Sequence, residues 1–356
     1  MNGWKNNLLE KMDLQIKNEK IFRSDSVYKD MIFLDKIVAK TLKLSELAQM
    51  SRIEFLLPEY LDLHWKNRRN QASERARIMV LSDSEPGKIT ETIRRIMLKW
   101  SNDTEKHFSE KIVEIYKLAR MVGVKKALGE INESLAFNNP NKKETSITKT
   151  KQKISINFDS FDKEIISVIK KQSSSLIKNF YDSIMTKTKK IIRIVKEILM
   201  NPKETKKNTA DFLKQKIENE LSSVSFPNFE GLTSNIMTTV RAYGQLKSFK
   251  DENIVEYEIS NPMDSKTCKV CSHMSGKVFT VQTGIEQLNA ELNAKNDEDI
   301  KRIHPWLTIS NLQTISSTSG YVKGAKGIVD SIVLATAGLS LPTYHDKCRC
   351  TVDIHV

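Results

Sequence analysis

The sequence predicts a mainly α-helical chain that ends in a small α+β, zinc-containing domain. Three observations predict this. Lys, Ile, Leu and Glu are abundant, while Gly and Pro number only 12 and 8 in 356 residues, a profile that favours helix. Apolar residues recur at three- and four-residue steps through most of the first 250 positions. After Phe249 the texture changes to short alternating runs, and all four cysteines lie in that last stretch. The length suggests two or three structural units.

Residues 1–135 read as an N-terminal helical domain. Phe22 to Lys43 places Met31, Ile32, Leu34, Ile37, Val38 and Leu42 at helical spacing. Ser45 is expected to cap a following helix and Pro58 to break it. Thr90–Trp100 and Phe108–Val122 are further amphipathic stretches, the second expected to stop near Gly123. Trp4, Trp65 and Trp100 are expected to be packed aromatics. Residues 136–157, rich in Asn, Lys, Thr and Ser with Pro140, read as a polar linker or mobile loop.

Residues 158–204 read as a long Lys-rich amphipathic segment. Phe161, Ile165, Ile169, Leu176, Phe180, Ile184, Ile191, Val195 and Ile198 form an apolar stripe opposite a lysine-rich side, up to Asn201-Pro202. Ordinary packing, rather than an oligomer seam, is the expected use of the stripe. Helices follow at about Thr209–Leu221 and Leu232–Leu246. Asn253–Ser260 and Lys277–Val281 then read as strands, Ile285–Ile303 as helix, Asn311–Lys326 as a polar loop and Cys348–Val356 as a last strand.

The formal net charge is +13, which favours polyanionic partners. From Lys142 to Lys216 there are 19 Lys/Arg against 8 Asp/Glu, so this stretch is the candidate surface for double-stranded DNA. A merely solvated lysine face is the competing explanation. Met1–Phe22 alternates charged and apolar residues and does not read as a secretory signal. The nearest membrane candidate, Gly327–Leu341, is too short and contains Asp330. A reducing setting is therefore expected, in which clustered cysteines bind metal more readily than they form disulfides.

The chemistry concentrates in two clusters. Cys268-Lys269-Val270-Cys271 follows a strand and a turn, the arrangement of a knuckle whose two thiolates converge on one ion. His345-Asp346-Lys347-Cys348-Arg349-Cys350 repeats the two-residue gap between His345 and Cys348. The candidate ligands of one zinc ion (Zn2+) are thus Cys268, Cys271, His345, Cys348 and Cys350, one more than a tetrahedral site needs. The first pair is firm, and which two of the other three complete the set is open. Lys269, Lys347 and Arg349 are expected to lower the thiol pKa values. His273 is an alternative ligand. His304, in a helix-ending turn, and His64, His107 and His355 are expected to be structural or surface residues. Protein ligands can fill every position, which favours a structural over a catalytic metal.

Val255-Glu256-Tyr257-Glu258-Ile259, Asp264-Ser265-Lys266-Thr267-Cys268-Lys269-Val270-Cys271, Ser275-Gly276-Lys277-Val278-Phe279 and Pro342-Thr343-Tyr344-His345-Asp346-Lys347-Cys348-Arg349-Cys350-Thr351 resemble the two halves of the phage Mu protein F-like head morphogenesis domain. The resemblance covers roughly residues 205–356, including a helix from Thr233 to Gln245. The 73 residues between Cys271 and His345 are long for that family, so residues near 285–340 read as an insertion. The resemblance implies a minor capsid protein of a tailed bacteriophage, acting with the portal and the capsid interior in head assembly and DNA packaging or delivery. It also implies a virion location, with the host cytoplasm as the site of assembly, and several copies per particle. No membrane partner and no enzymatic activity are expected, since no His-Glu-x-x-His, Ser/His/Asp set or phosphate-binding glycine loop occurs. The alternatives are a zinc-containing nucleic-acid-binding protein outside virions, or a metal-dependent enzyme.

Overall fold

The computed structural model describes residues 46–129, 156, 158–201, 205–224, 226–265, 267–308, 310–311 and 328–355. The expected helix at 22–43, the Ser45 cap, Trp4, and most of the 136–157 linker and the 311–326 loop lie outside the described residues. The fold is mainly helical with a small C-terminal sheet of three strands. Residues Leu44–Val356 form one compact unit, so the helical part and the small sheet share a core.

Helix α1 (Glu46–Leu81) runs through Pro58 without ending. A proline deletes one backbone bond and clashes with the preceding turn. Here the surrounding residues Leu56, Leu57, Tyr60, Leu61 and Trp65 are all buried, and their packing outweighs that local cost. Helix α2 (Pro86–Ala127) begins with its proline in the first turn, where no N–H is needed. It likewise passes through Gly123. The terminating glycine is Gly129, at φ 71°, whose N–H bonds the Lys126 carbonyl at 2.9 Å. Gly123 serves a different purpose. A Cβ there would lie 2.6 Å from Ser248 Cβ, so the missing side chain lets a later helix cross closely.

Helix α3 (Ser160–Met200) starts with a reciprocal capping box. Asp159 accepts from the Asp162 N–H at 2.9 Å, and Asp162 accepts from the Asp159 N–H at 3.1 Å. Its buried stripe contains Ile165, Ile169, Ile177, Ile184, Ile191, Val195 and Ile198. Ile177 takes the inward position expected for Leu176, and Phe161 and Phe180 are only half-buried. The stripe packs against α2 and against α4 (Lys206–Ser222), so within this chain it is an intramolecular seam. Trp65 and Trp100 are fully buried, and the Trp65 indole donates to the Leu221 carbonyl at 3.3 Å.

Helix α5 (Phe226–Asp251) is the centre of this unit. From Gly231 to Phe249 every residue is buried except Thr239, which is half-buried. A helix that is covered all round has neighbours on every face, and α5 packs against α1, α2, α3 and the last strand. Ion pairs tie these faces. Arg120 of α2 reaches the buried Asp162 at 3.0 Å, and the Tyr116 hydroxyl donates to the same carboxylate at 2.8 Å. Arg241 of α5 meets Glu54 of α1 at 2.7 Å.

Strand β1 (Glu256–Ser260) leaves α5 after a short turn and becomes the middle of the sheet. Strands β2 (Val278–Thr280) and β3 (Thr351–Ile354) flank it in the order β2-β1-β3, both antiparallel. All three strands are shorter than expected. Between β1 and β2 lies the short helix α6 (Lys269–Met274). The single helix expected over Ile285–Ile303 is two, α7 (Val281–Leu292) and α8 (Asp297–Ile303). Asn296 restarts the chain by accepting the Asp299 N–H at 2.9 Å. Helix α9 (Ile328–Thr336) follows. The described ends of the expected insertion pack into the core. Gln287 of α7 donates to the Gly338 carbonyl at 2.9 Å and accepts the Ser340 N–H at 3.0 Å. No described helix is long and apolar enough to cross a membrane.

Candidate metal centre

The pairing of β1 with β3 builds the site. Ser260 is opposite Thr351, so the loop leaving β1 and the loop entering β3 emerge side by side at one end of the sheet. Residues 74 positions apart, Cys271 and His345, are thereby placed in contact.

Local capping shapes the first half. Asn261 makes a turn by accepting the Met263 N–H at 2.9 Å, and its amide donates to the Cys271 carbonyl at 2.8 Å. Cys268 is the N-cap of α6, its sulfur accepting the Cys271 N–H at 3.3 Å. That N–H···S bond is the expected knuckle feature. Cys271, one turn on, faces inward.

The second half is held by α5. Asn235 donates to the Asp346 carboxylate and accepts the Lys347 N–H, both at 3.0 Å. Ser234 and Thr238 donate to the Cys348 carbonyl at 3.1 and 2.8 Å. Gly231 leaves room for Asp346, whose carboxylate oxygen would be 2.8 Å from a Cβ. Lys347 turns the loop at φ 59°. None of these supports stood out in the sequence, because single Ser, Thr and Asn residues on a helix carry no motif.

The five expected ligands do converge, as two overlapping trios. Cys268, Cys271 and His345 have ligand atoms within 4.8 Å of one another, and so do Cys271, Cys348 and Cys350. Cys271 belongs to both. His345 Nε2 lies 3.0 Å from Cys268 Sγ and 2.9 Å from Cys271 Sγ, and Cys271 Sγ lies 3.9 Å from Cys348 Sγ. The other imidazole nitrogen, Nδ1, lies 2.5 Å from the Asp346 carbonyl oxygen. A carbonyl only accepts, so Nδ1 carries the proton and Nε2 presents its lone pair to the sulfurs. Four ligands about 2.3 Å from an ion sit roughly 3.8 Å apart, which the Cys271–Cys348 distance matches. The buried cluster of Cys271, Cys348 and Cys350 could hold a metal ion. His273 belongs to neither trio.

Electrostatics of the thiols differ from expectation. The Cys348 pKa is well below the ordinary thiol value, because the Cys271 and Cys350 thiols and the Tyr344 and Cys350 amides donate to it. Cys271 is pushed up chiefly by its contact with Cys348, and Cys350 by its contacts with Cys271 and then Cys348. Two of the flanking cations are engaged elsewhere. Arg349 forks onto Asp264 at 2.8 and 2.5 Å, and Lys347 faces Glu230 at 3.7 Å.

The remaining histidines are structural. His64 and His107 are buried beside Tyr60 and Trp100. His304 Nδ1 meets the fully buried Glu291 at 3.0 Å, and Tyr243 donates to the same carboxylate. His355 lies 3.6 Å from Glu258. No protein-family model, curated protein or solved structure matches this chain.

Proposed function

We propose that the chain is a minor structural protein of a tailed-phage head, acting with the portal in head assembly and DNA packaging or delivery, and that a structural Zn2+ clasps its C-terminal part. One observation carries the reading. The two segments that resemble the Mu F-like domain, far apart in sequence, meet at the cysteine–histidine cluster. Thiolate and imidazole ligands converging on one place suit zinc. Cys268, Cys271, His345 and Cys348 would be the four ligands, with Cys350 beneath them. A full protein set leaves no open position for water, so the metal would staple the loop leaving β1 to the loop entering β3.

The basic surface supports a role beside packaged DNA. On α3, Lys163, Lys171, Lys178, Lys189, Lys190, Arg193 and Lys196 are exposed. Lys190 and Arg193 are paired with Glu220 and Glu197, at 2.6 and 3.9 Å. Residues 142–155, the upstream part of the expected surface, lie outside the described residues.

Two measurements test the reading. Elemental analysis of the purified, reduced chain should give one zinc per molecule. Mass spectrometry of purified particles made by the genome that encodes the chain should find it in a few copies beside the portal. Its absence from particles that contain portal would overturn the head assignment and leave the metal centre standing.

A further inference from the structure

The five ligand atoms divide unevenly. The outer trio mixes two sulfurs with an imidazole at a half-exposed rim. The inner trio is all sulfur, and Cys271, Cys348 and Cys350 are exposed by only 5, 0 and 1 %. Building on the metal-centre reading above, we propose that the inner trio is a second, deeper seat for a thiophilic monovalent cation such as Cu(I) or Ag(I), bound by three sulfurs without Cys268 or His345.

Ligand chemistry separates the two seats. Zinc accepts nitrogen and sulfur alike and completes four positions. The inner trio offers three sulfurs and no imidazole, all of them buried. Soft monovalent ions select thiolates and accept fewer ligands. Three arms of about 2.3 Å in one plane set sulfurs about 4.0 Å apart, close to the 3.9 Å between Cys271 and Cys348.

Charge allows the exchange. Zinc on three thiolates and a neutral imidazole leaves a net charge of about −1. A monovalent ion on two thiolates and one thiol leaves the same charge. Since Cys271 is common to both trios, an ion in the inner seat removes a ligand from the outer one. The two ions then compete, and Cu(I) expels zinc and frees Cys268.

The test uses the full, zinc-loaded, reduced chain under anaerobic conditions. Titration with Cu(I), with released zinc followed by a chromogenic chelator, should expel the zinc at one equivalent. Cys350→Ser should keep its zinc while its Cu(I) affinity falls at least about tenfold, and His345→Ala should lose zinc affinity by a similar factor with Cu(I) affinity nearly unchanged. Mapping of alkylated cysteines needs no variant. Cys268 should be protected in the zinc form and reactive in the Cu(I) form, with the other three protected in both. Cu(I) binding that ignores Cys350→Ser, or protection of Cys268 in the Cu(I) form, would overturn the inner seat while leaving the zinc site intact. A wild type that takes Cu(I) with this pattern and never holds zinc would overturn the zinc reading instead.

Discussion

The Arg349 guanidinium forks onto the Asp264 carboxylate, with its two nitrogens 2.8 and 2.5 Å from the two oxygens. Arg349 enters β3 and Asp264 follows β1, so the pair ties the two halves of the metal centre from outside. Asp264 also accepts from the Thr267 hydroxyl, which fixes the turn before Cys268. Arg349→Lys keeps the charge and loses the fork. Zinc affinity, measured by chelator competition, should fall about tenfold. Fold stability should change by less than about 1 kcal/mol, because the pair is partly solvated. Unchanged affinity would show that the loops are held without this link.

The crossing of α2 and α5 depends on two glycines. Gly244 would put a Cβ 2.6 Å from Ala119 Cβ, just as Gly123 would against Ser248. Gly123→Ala should destabilise the fold by about 2 kcal/mol through overpacking. Gly87→Ala, where nothing lies within 4 Å, should be neutral or slightly stabilising. Urea unfolding of the two variants checks the contrast.

Asp162 caps α3 and also receives Tyr116 and Arg120. Removing it leaves Arg120 with the half-exposed Asp251 and the neutral Ser248 hydroxyl. Asp162→Ala should cost about 3 kcal/mol or more, against about 1 kcal/mol for the exposed cap Asp159→Ala. Equal costs would mean that the buried pair adds nothing beyond the cap.

Two buried histidines give the stability profile limbs of opposite sign. Burial, then Arg68 and His107, hold His64 down at about 3. Between that value and its unfolded pKa of 6.5, the unfolded chain binds the extra proton. Stability should therefore drop as pH falls through this window, by up to about 1.4 kcal/mol per unit. His304 is raised despite its burial, because Glu291 beside it favours the charged form. Its contribution is complete below 6.5 and is lost as pH rises through the raised folded value. Thermal melts should show His64→Gln flattening the acid limb and His304→Gln the alkaline one. A swap of those effects would contradict both assignments.

Duplex DNA binding through the lysine face of α3 should be independent of sequence and steeply weakened by salt, since it would release counterions. Replacing Lys178, Lys189 and Lys196 by Glu should reduce affinity for every duplex alike. Affinity that barely responds to salt would exclude phosphate contact as its basis.

The sequence displayed the cysteine–histidine cluster because thiols and an imidazole at close spacing have few other uses. It displayed α3 because its stripe is periodic and one-sided. It hid the continuity of α1 and α2. Pro58 and Gly123 are local stop signals, and the tertiary packing that overrides them has no local signature. It also hid the supports of the site, since Asn235, Ser234 and Thr238 acquire meaning only when α5 is laid against the Cys348 loop. The surplus ligand was countable in advance, whereas the division into two trios through Cys271 needed the fold.

Helix α5 has a consequence for folding order. Its buried stretch is rich in Gly, Ser, Thr and Asn, among them Gly231, Ser234, Thr238, Gly244 and Ser248, which are weak helix formers in isolation. Its partners lie as far as 187 positions upstream, at Glu54, and reach to β3 downstream. Such a helix cannot persist until surfaces from both ends of the described chain have arrived. Closing those distances is slow. The bundle and the sheet should therefore consolidate in one late event, with α5 as the step that sets its rate.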